Sequence, residues 1–166
     1  DKVVLAIFES ILNMEDILSI INKTKTKSRL LPFSLLSKIK DNILTKKYSL
    51  SIAYINESEM QKINKIHRNK NKPTNVLSFS LTKNSGELLL CLDTIKKETE
   101  KFERNFTELL GFLVINGMLH LKGYKHSSRM EVLECKYDQK YFRGNRHRVR
   151  YDASRSRRIF KGRKNS

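Results

Sequence analysis

The chain has 166 residues, 39% of them hydrophobic, which is enough for one domain with a buried core. Thirty-four lysines and arginines against seventeen aspartates and glutamates give a net charge of +17, so nucleic acid is the first expected partner and an anionic membrane surface the second. Two cysteines, Cys91 and Cys135, exclude a disulfide framework and a zinc finger and favour a cytoplasmic protein. No apolar run reaches the roughly 20 residues of a membrane span.

The first thirteen residues allow two interpretations. Apolar residues from Val3 to Leu12 recur at helical spacing, which predicts a short amphipathic helix. Met14 directly precedes an apolar stretch, so residues 1–13 could instead lie upstream of the true start. We treat 1–13 as an extension of uncertain status and 14–142 as the domain.

Strands and helices alternate through that domain. Strands are predicted at 16–22, 48–55, 76–81 and 87–92, and helices at 33–46, 56–67, 94–103, 107–121 and 128–142. Strand 48–55 alternates apolar and small residues, which predicts one buried face. We therefore expect a single small α/β (α+β) domain with a mixed sheet of about four strands, the last two forming a hairpin.

Helix starts are marked by capping residues. The pairs Asn56 with Glu59, Asn105 with Glu108 and Ser128 with Glu131 have capping-box spacing, and Asp93 is a further candidate cap. The helix over 107–121 is apolar nearly all round, which predicts a buried central helix. A polar side chain on such a helix is costly unless it is paired or ligated.

One polar pattern begins on that helix, in the stretch INGMLHLKGYKH at 115–126. Asn116 and His120 are four residues apart and therefore share a helix face. Gly123 suits a left-handed helix end, which would turn the chain so that His126 faces the other two. On spacing alone, a three-ligand metal site with an open position for water and a pair of core histidines are about equally expected.

Two long motifs resemble those of the YbeY-type endoribonucleases. The family's metal motif H-G-x-L-H-L-x-G-x-x-H reads N-G-M-L-H-L-K-G-Y-K-H here, from Asn116 to His126. A second motif, N-x-x-[YF]-R-x-K-x-x-P-T-[DN]-V-L-S-F, matches residues 64–79, and a G-[DE]-[IVL] strand matches 86–88. The resemblance covers roughly residues 17–142.

The resemblance implies a metal-dependent cut in single-stranded RNA during 16S ribosomal RNA 3′-end processing and ribosome quality control. It also implies one divalent ion, zinc first, at His120, His126 and the position of Asn116, and a catalytic arginine at Arg68. An arginine fork suits the charge that develops on phosphate oxygens. The expected partners are ribosomal RNA and the small ribosomal subunit, with a monomeric protein and no small-molecule cofactor.

Basic residues around Arg68 predict a seat for the RNA backbone: Lys62, Lys65, Lys70 and Lys72. His67 stands where the family motif has an aromatic residue, and we expect it to fill that place. Residues 143–166 carry eight arginines and two lysines against one aspartate, which predicts a disordered basic tail. His147 belongs to that tail composition.

Asn116 departs from the family motif, because an amide oxygen is a weaker metal ligand than imidazole. It could bind metal weakly, leave two histidines with an extra water, or mark a degenerate enzyme that still binds RNA. The last outcome is a rival function, a non-catalytic RNA-binding or ribosome-associated factor. A metalloprotease is a weaker rival, because the glutamate it needs beside the first ligand is Gly117 here.

Overall fold

The computed structural model describes residues 17–25 and 30–143. The predicted extension 1–13 and the predicted tail, apart from Arg143, lie outside this part of the chain. Within it, four strands form one mixed sheet: β1 Leu18–Asn22, β2 Ser49–Ile55, β3 Val76–Thr82 and β4 Ser85–Cys91. Five α-helices accompany the sheet: α1 Phe33–Ile43, α2 Glu57–Arg68, α3 Leu92–Glu98, α4 Phe106–Leu121 and α5 Ser128–Asp138. A π-helical turn, Gln139–Arg143, follows α5.

The sheet order is β1-β2-β4-β3, with β1, β2 and β4 parallel and β3 antiparallel to β4. The predicted mixed sheet and the β3–β4 hairpin are therefore confirmed. A register shift between Ser80 and Thr82 interrupts the hairpin ladder. Strand β3 is an edge of the described sheet, so its outer backbone groups face away from the other strands.

Helices cover both faces of the sheet. The first core cluster joins α1 and α4 to Leu50, Ile52 and Leu88 on one face. The second cluster joins Met60 and Ile63 of α2 to the other face through these sheet residues: Ala53, Ile55, Leu77, Leu89 and Cys91. The prediction of one buried face for strand 48–55 was therefore wrong, because α2 buries the small and apolar residues of its second face as well.

Helix α4 is buried on every side, as its apolar sequence predicts. Twelve of its sixteen residues are buried, from Leu109 to Leu121. The side chain of Asn105 accepts the Glu108 backbone N–H and Glu108 reaches back to the Asn105 backbone, so the predicted capping box is present. Helix α4 is also the longest described helix, and no described helix is both long and apolar enough to cross a membrane.

Other helix boundaries differ from prediction. Asn56 caps α2 as expected, but Ser127 and not Ser128 caps α5, because the Ser127 hydroxyl accepts the Met130 N–H. Asp93 lies in the first turn of α3 and does not cap it. The predicted helix to residue 142 ends at Asp138, where the π-helical turn lets Phe142 pack against Gly111 of α4. Cys91 and Cys135 are free thiols.

Candidate functional site

The C-terminal end of α4 turns the chain back on itself. Gly123 has φ of +97°, and its N–H donates to the carbonyl of His120. The next N–H, that of Tyr124, donates to the carbonyl of Leu119. This pair of bonds is a Schellman motif, which needs a residue that tolerates positive φ. The predicted left-handed helix end is confirmed.

That turn brings His120 and His126 together. Their ring centroids are 4.6 Å apart and the rings are nearly perpendicular, at 80°. Two imidazoles on one tetrahedral zinc, with Zn–N bonds of about 2.0 Å, have centroids roughly 5 Å apart. The two rings thus have close to the separation that a shared metal ion requires.

A backbone carbonyl fixes the orientation of the His120 ring. The Nδ1 atom of His120 lies 2.9 Å from the carbonyl oxygen of Tyr124. When Nδ1 carries the proton and donates to that oxygen, Nε2 carries the lone pair that a metal needs. Metal-binding histidines commonly have such an outer carbonyl partner, which holds the ring and selects the tautomer.

Asn116 lies one turn before His120 on α4 and is only 3% exposed. Its Nδ2 donates to Oε1 of Glu134 on α5 at 2.5 Å, and Glu134 is 2% exposed. An ionised carboxylate only accepts hydrogen bonds, so it engages the nitrogen end of the amide. The oxygen end, Oδ1, is the part of Asn116 that suits a cation.

No cluster of three or more His, Cys, Asp or Glu side chains suited to a metal occurs within residues 17–25 and 30–143. Within these residues, a third protein ligand beside the two histidines would be of another residue type, and Asn116 lies one turn before His120. Gly117 packs against β4, where an added Cβ would meet Leu88 at 2.7 Å. This position has no room for the general-base glutamate of a metalloprotease, which weakens that rival further.

The predicted RNA-binding lysines lie on α2 and in the loop after it, the basic loop, which holds Lys70 and Lys72. The side chains of Lys62, Lys65, Lys70 and Lys72 are all exposed. Asn69 ends α2 with φ of +55°, and the buried Asn64 donates its Nδ2 to the carbonyl of Lys72 at 2.7 Å. The loop is thus held by hydrogen bonds to the helix while its lysine side chains point outward.

Arg68 is the last residue of α2, the helix that packs on the sheet face opposite α4. Its side chain is exposed, and partial desolvation lowers the pKa of its guanidinium, which remains charged at neutral pH. The neighbouring His67 packs edge to face on Phe79 of β3, with ring centroids 4.8 Å apart. The catalytic role of Arg68 stays a prediction.

Two contacts at these sites escaped prediction. Glu134 is buried beside Asn116, and Asn64 ties the basic loop to α2. One signal was present for Glu134: it occupies the inward face of α5 with Met130 four residues before and Asp138 four residues after. A carboxylate at an otherwise buried helix position indicates a partner across the interface.

Comparison with known proteins identifies one family that this chain resembles. The family model described as Endoribonuclease YbeY matches residues 15–142. The chain is 34% identical over 108 residues to the Endoribonuclease YbeY of Staphylococcus carnosus, covering 58% of this chain and 71% of that protein. It is 38% identical over 94 residues to that of Colwellia psychrerythraea, covering 52% and 61%. It is 35% identical over 91 residues to that of Staphylococcus epidermidis, covering 46% of this chain and just 59% of that relative.

A solved structure has the same fold. The solution structure of TM1509 from Thermotoga maritima aligns with a TM-score of 0.53 at 25% identity, over 82% of this chain and 96% of that one. The α+β class is thereby confirmed. The family model and the relatives confirm the predicted endoribonuclease type of enzyme. The family match spans the basic loop, both histidines and Asn116. The chain belongs to the Endoribonuclease YbeY family.

Proposed function

We propose that this protein is a metal-dependent endoribonuclease that cuts single-stranded RNA and acts in 16S ribosomal RNA 3′-end processing and ribosome quality control. The observation that carries this proposal is the convergence of the His120 and His126 rings at the end of a buried helix, with Asn116 one turn away. The membership of the Endoribonuclease YbeY family supports the same class of reaction.

The residues at this helix end fit one divalent ion, with zinc as the first choice. His120 has the outer carbonyl partner typical of a metal ligand, and Glu134 holds the Asn116 amide by its nitrogen. A bound divalent ion would act as a Lewis acid and lower the pKa of a water molecule towards neutrality. His120, His126 and the Asn116 oxygen would hold it.

The basic loop supplies the remaining chemistry. Its exposed lysines would neutralise backbone phosphates and hold the strand. Arg68 would stabilise the charge that grows on the phosphate oxygens as the P–O bond breaks. Because Arg68 and Lys65 both belong to the last turn of α2, the same helix end would hold the strand and serve the reaction.

The net charge and the free cysteines support the proposed partners and compartment. A formal charge of +17 suits ribosomal RNA and the small ribosomal subunit as partners. Two free cysteines suit a reducing cytoplasm. The proposal requires neither a small-molecule cofactor nor a second subunit.

One observation favours a second candidate function. The first position of the metal motif is Asn116, a neutral and weaker ligand than histidine. If the site holds no ion, the exposed lysine loop still makes a surface for RNA, and the protein would be a non-catalytic RNA-binding factor.

Cleavage and metal content together separate the two functions. Protein purified without chelator is assayed on labelled single-stranded RNA, with added zinc or manganese and with chelator. The endonuclease predicts about one ion per chain, cutting that chelator stops, and loss of cutting in His120→Ala. An Arg68→Lys variant keeps the charge but loses the fork, so it should bind RNA and cut slowly. A metal-free wild type that binds RNA without cutting it would identify the second function.

A further inference from the structure

Glu134 of α5 lies at the contact between α5 and α4, the helix that carries Asn116 and His120. It is on the face of α5 that packs against α4, and its carboxylate accepts a hydrogen bond from Nδ2 of Asn116. Both side chains are almost fully buried. Burying a carboxylate is costly unless it is hydrogen-bonded, so its retention at this contact needs a reason.

This contact selects one of two orientations for the Asn116 amide. An amide has a donor end and an acceptor end of nearly the same shape, and packing alone does not distinguish them. The acceptor-only carboxylate attracts Nδ2 and would repel Oδ1. Glu134 therefore fixes which end of Asn116 remains for a neighbouring cation.

Helix α5 is itself held firmly at both ends. Asp138 accepts two hydrogen bonds from Arg104, at 2.8 and 2.9 Å, and both side chains are buried. At the other end, Ser127 caps α5 directly after His126. The segment that carries His126 is thus continuous with the helix that carries Glu134. This continuity limits the movement of the two residues relative to each other.

We propose that Glu134 is a positioning residue that orients Asn116 as the third ligand of the metal site. This inference rests on the proposed function, because it assigns Glu134 a task only where an ion is bound. Glu134 acts on the ion through the Asn116 amide: it accepts the hydrogen bond from Nδ2, and Oδ1 becomes the ligand. The pairing also explains how an asparagine can stand at a buried ligand position without a disordered amide.

Zinc affinity tests the proposal apart from catalysis. Glu134→Gln, which presents either an oxygen or a nitrogen to Asn116, should weaken zinc binding about tenfold, the lower end of outer-partner effects. The affinity is measured by competition with a chromophoric chelator on the full chain. Glu131→Gln is the matched control, since it removes the same charge from the first turn of α5, whereas the Asn116 amide donates to Glu134.

A double-mutant cycle shows whether Glu134 acts through residue 116. In an Asn116→Ala background, Glu134→Gln should cause no further loss of zinc affinity, because the amide that it orients is absent. Thermal unfolding of each variant checks that the fold persists. A Glu134→Gln affinity equal to that of Glu131→Gln, or an equal loss in both backgrounds, would overturn the inference alone. A wild type that binds no zinc would overturn both the inference and the metal dependence in the proposed function.

Discussion

The rings of His120 and His126 meet edge to face with centroids 4.6 Å apart, although a helix end lies between the two residues in sequence. The relationship depends on three consecutive features of the chain: His120 in the last turn of α4, the left-handed Gly123, and the two residues that lead from it to His126. Local backbone geometry, more than side-chain packing, therefore makes the site.

Gly123→Ala should lower both stability and zinc affinity. At φ of +97° an alanine is strained, and we expect the free energy of unfolding to fall by about 1 to 2 kcal/mol. Among the described residues, no atom apart from those of the adjoining residues lies within 4 Å of the added Cβ, so the loss is conformational and not steric. Urea unfolding and zinc competition measure the two effects. Gly123→Asn is the matched control, because asparagine tolerates left-handed backbone better, and it should lose less of both. Equal losses for the two variants would contradict the account of the turn.

Lys70→Ala/Lys72→Ala should reduce the salt dependence of RNA binding. If each lysine neutralises one phosphate, the slope of log affinity against log salt should become shallower by about 0.7 per lysine on a single strand. Fluorescence anisotropy at several salt concentrations measures the slope. The control Lys96→Ala/Lys101→Ala removes the same charge from exposed positions on and after α3. A control slope that changes as much would show that net charge, and not this loop, determines binding.

Glu87→Gln should make stability less dependent on pH. Burial raises the pKa of Glu87 from the ordinary 4.5 to about 7, and its Oε1 has no hydrogen-bond partner among the described residues. Below pH 4.5 the carboxyl is neutral in both folded and unfolded chains. As pH rises towards 7, the unfolded chain loses the proton first, so folding becomes less favourable by roughly 3 kcal/mol.

The glutamine variant stays neutral throughout, so it should match wild type near pH 4.5 and exceed it in stability at pH 8. Urea unfolding at the two pH values measures this difference. Glu100→Gln, a change at an exposed position, should leave the wild-type pH profile unaltered. A Glu87→Gln profile that falls between pH 4.5 and 7 as steeply as wild type would contradict the buried-carboxyl explanation.

Deleting residues 144–166 should weaken RNA or ribosome binding with little loss of stability. The tail sequence is rich in arginine and has few apolar residues to bury. The cut keeps Arg143, whose Nε lies 3.2 Å from Asp138. Binding assays and thermal unfolding compare the shortened and full chains. A large fall in melting temperature would mean that the tail packs on the domain.

The sequence predicted the elements best where local chemistry decides them. Asn105 and Glu108 marked the start of α4, and Gly123 marked its end, because caps and positive φ depend on nearby residues alone. The second buried face of β2 was missed. Alternation of apolar and small residues does not reveal that α2 will cover the small ones.

The site was only partly predictable for a similar reason. Motif spacing pointed to His120, His126 and Asn116, and the structure brings the two histidines together. Glu134 was missed because its contact with Asn116 joins residues eighteen apart on two packed helices. Spacing within one helix carries no information about such a pair.

Asn116→His tests most directly that residue 116 is a metal-ligand position. An imidazole there can donate Nδ1–H to Glu134 and direct Nε2 to the ion, as metal-binding histidines with carboxylate partners do. We expect zinc affinity to rise by at least about tenfold, equal to roughly 1.4 kcal/mol of binding free energy, and RNA cleavage to become faster. A folded Asn116→His protein with unchanged zinc affinity and unchanged cleavage rate would contradict the claim.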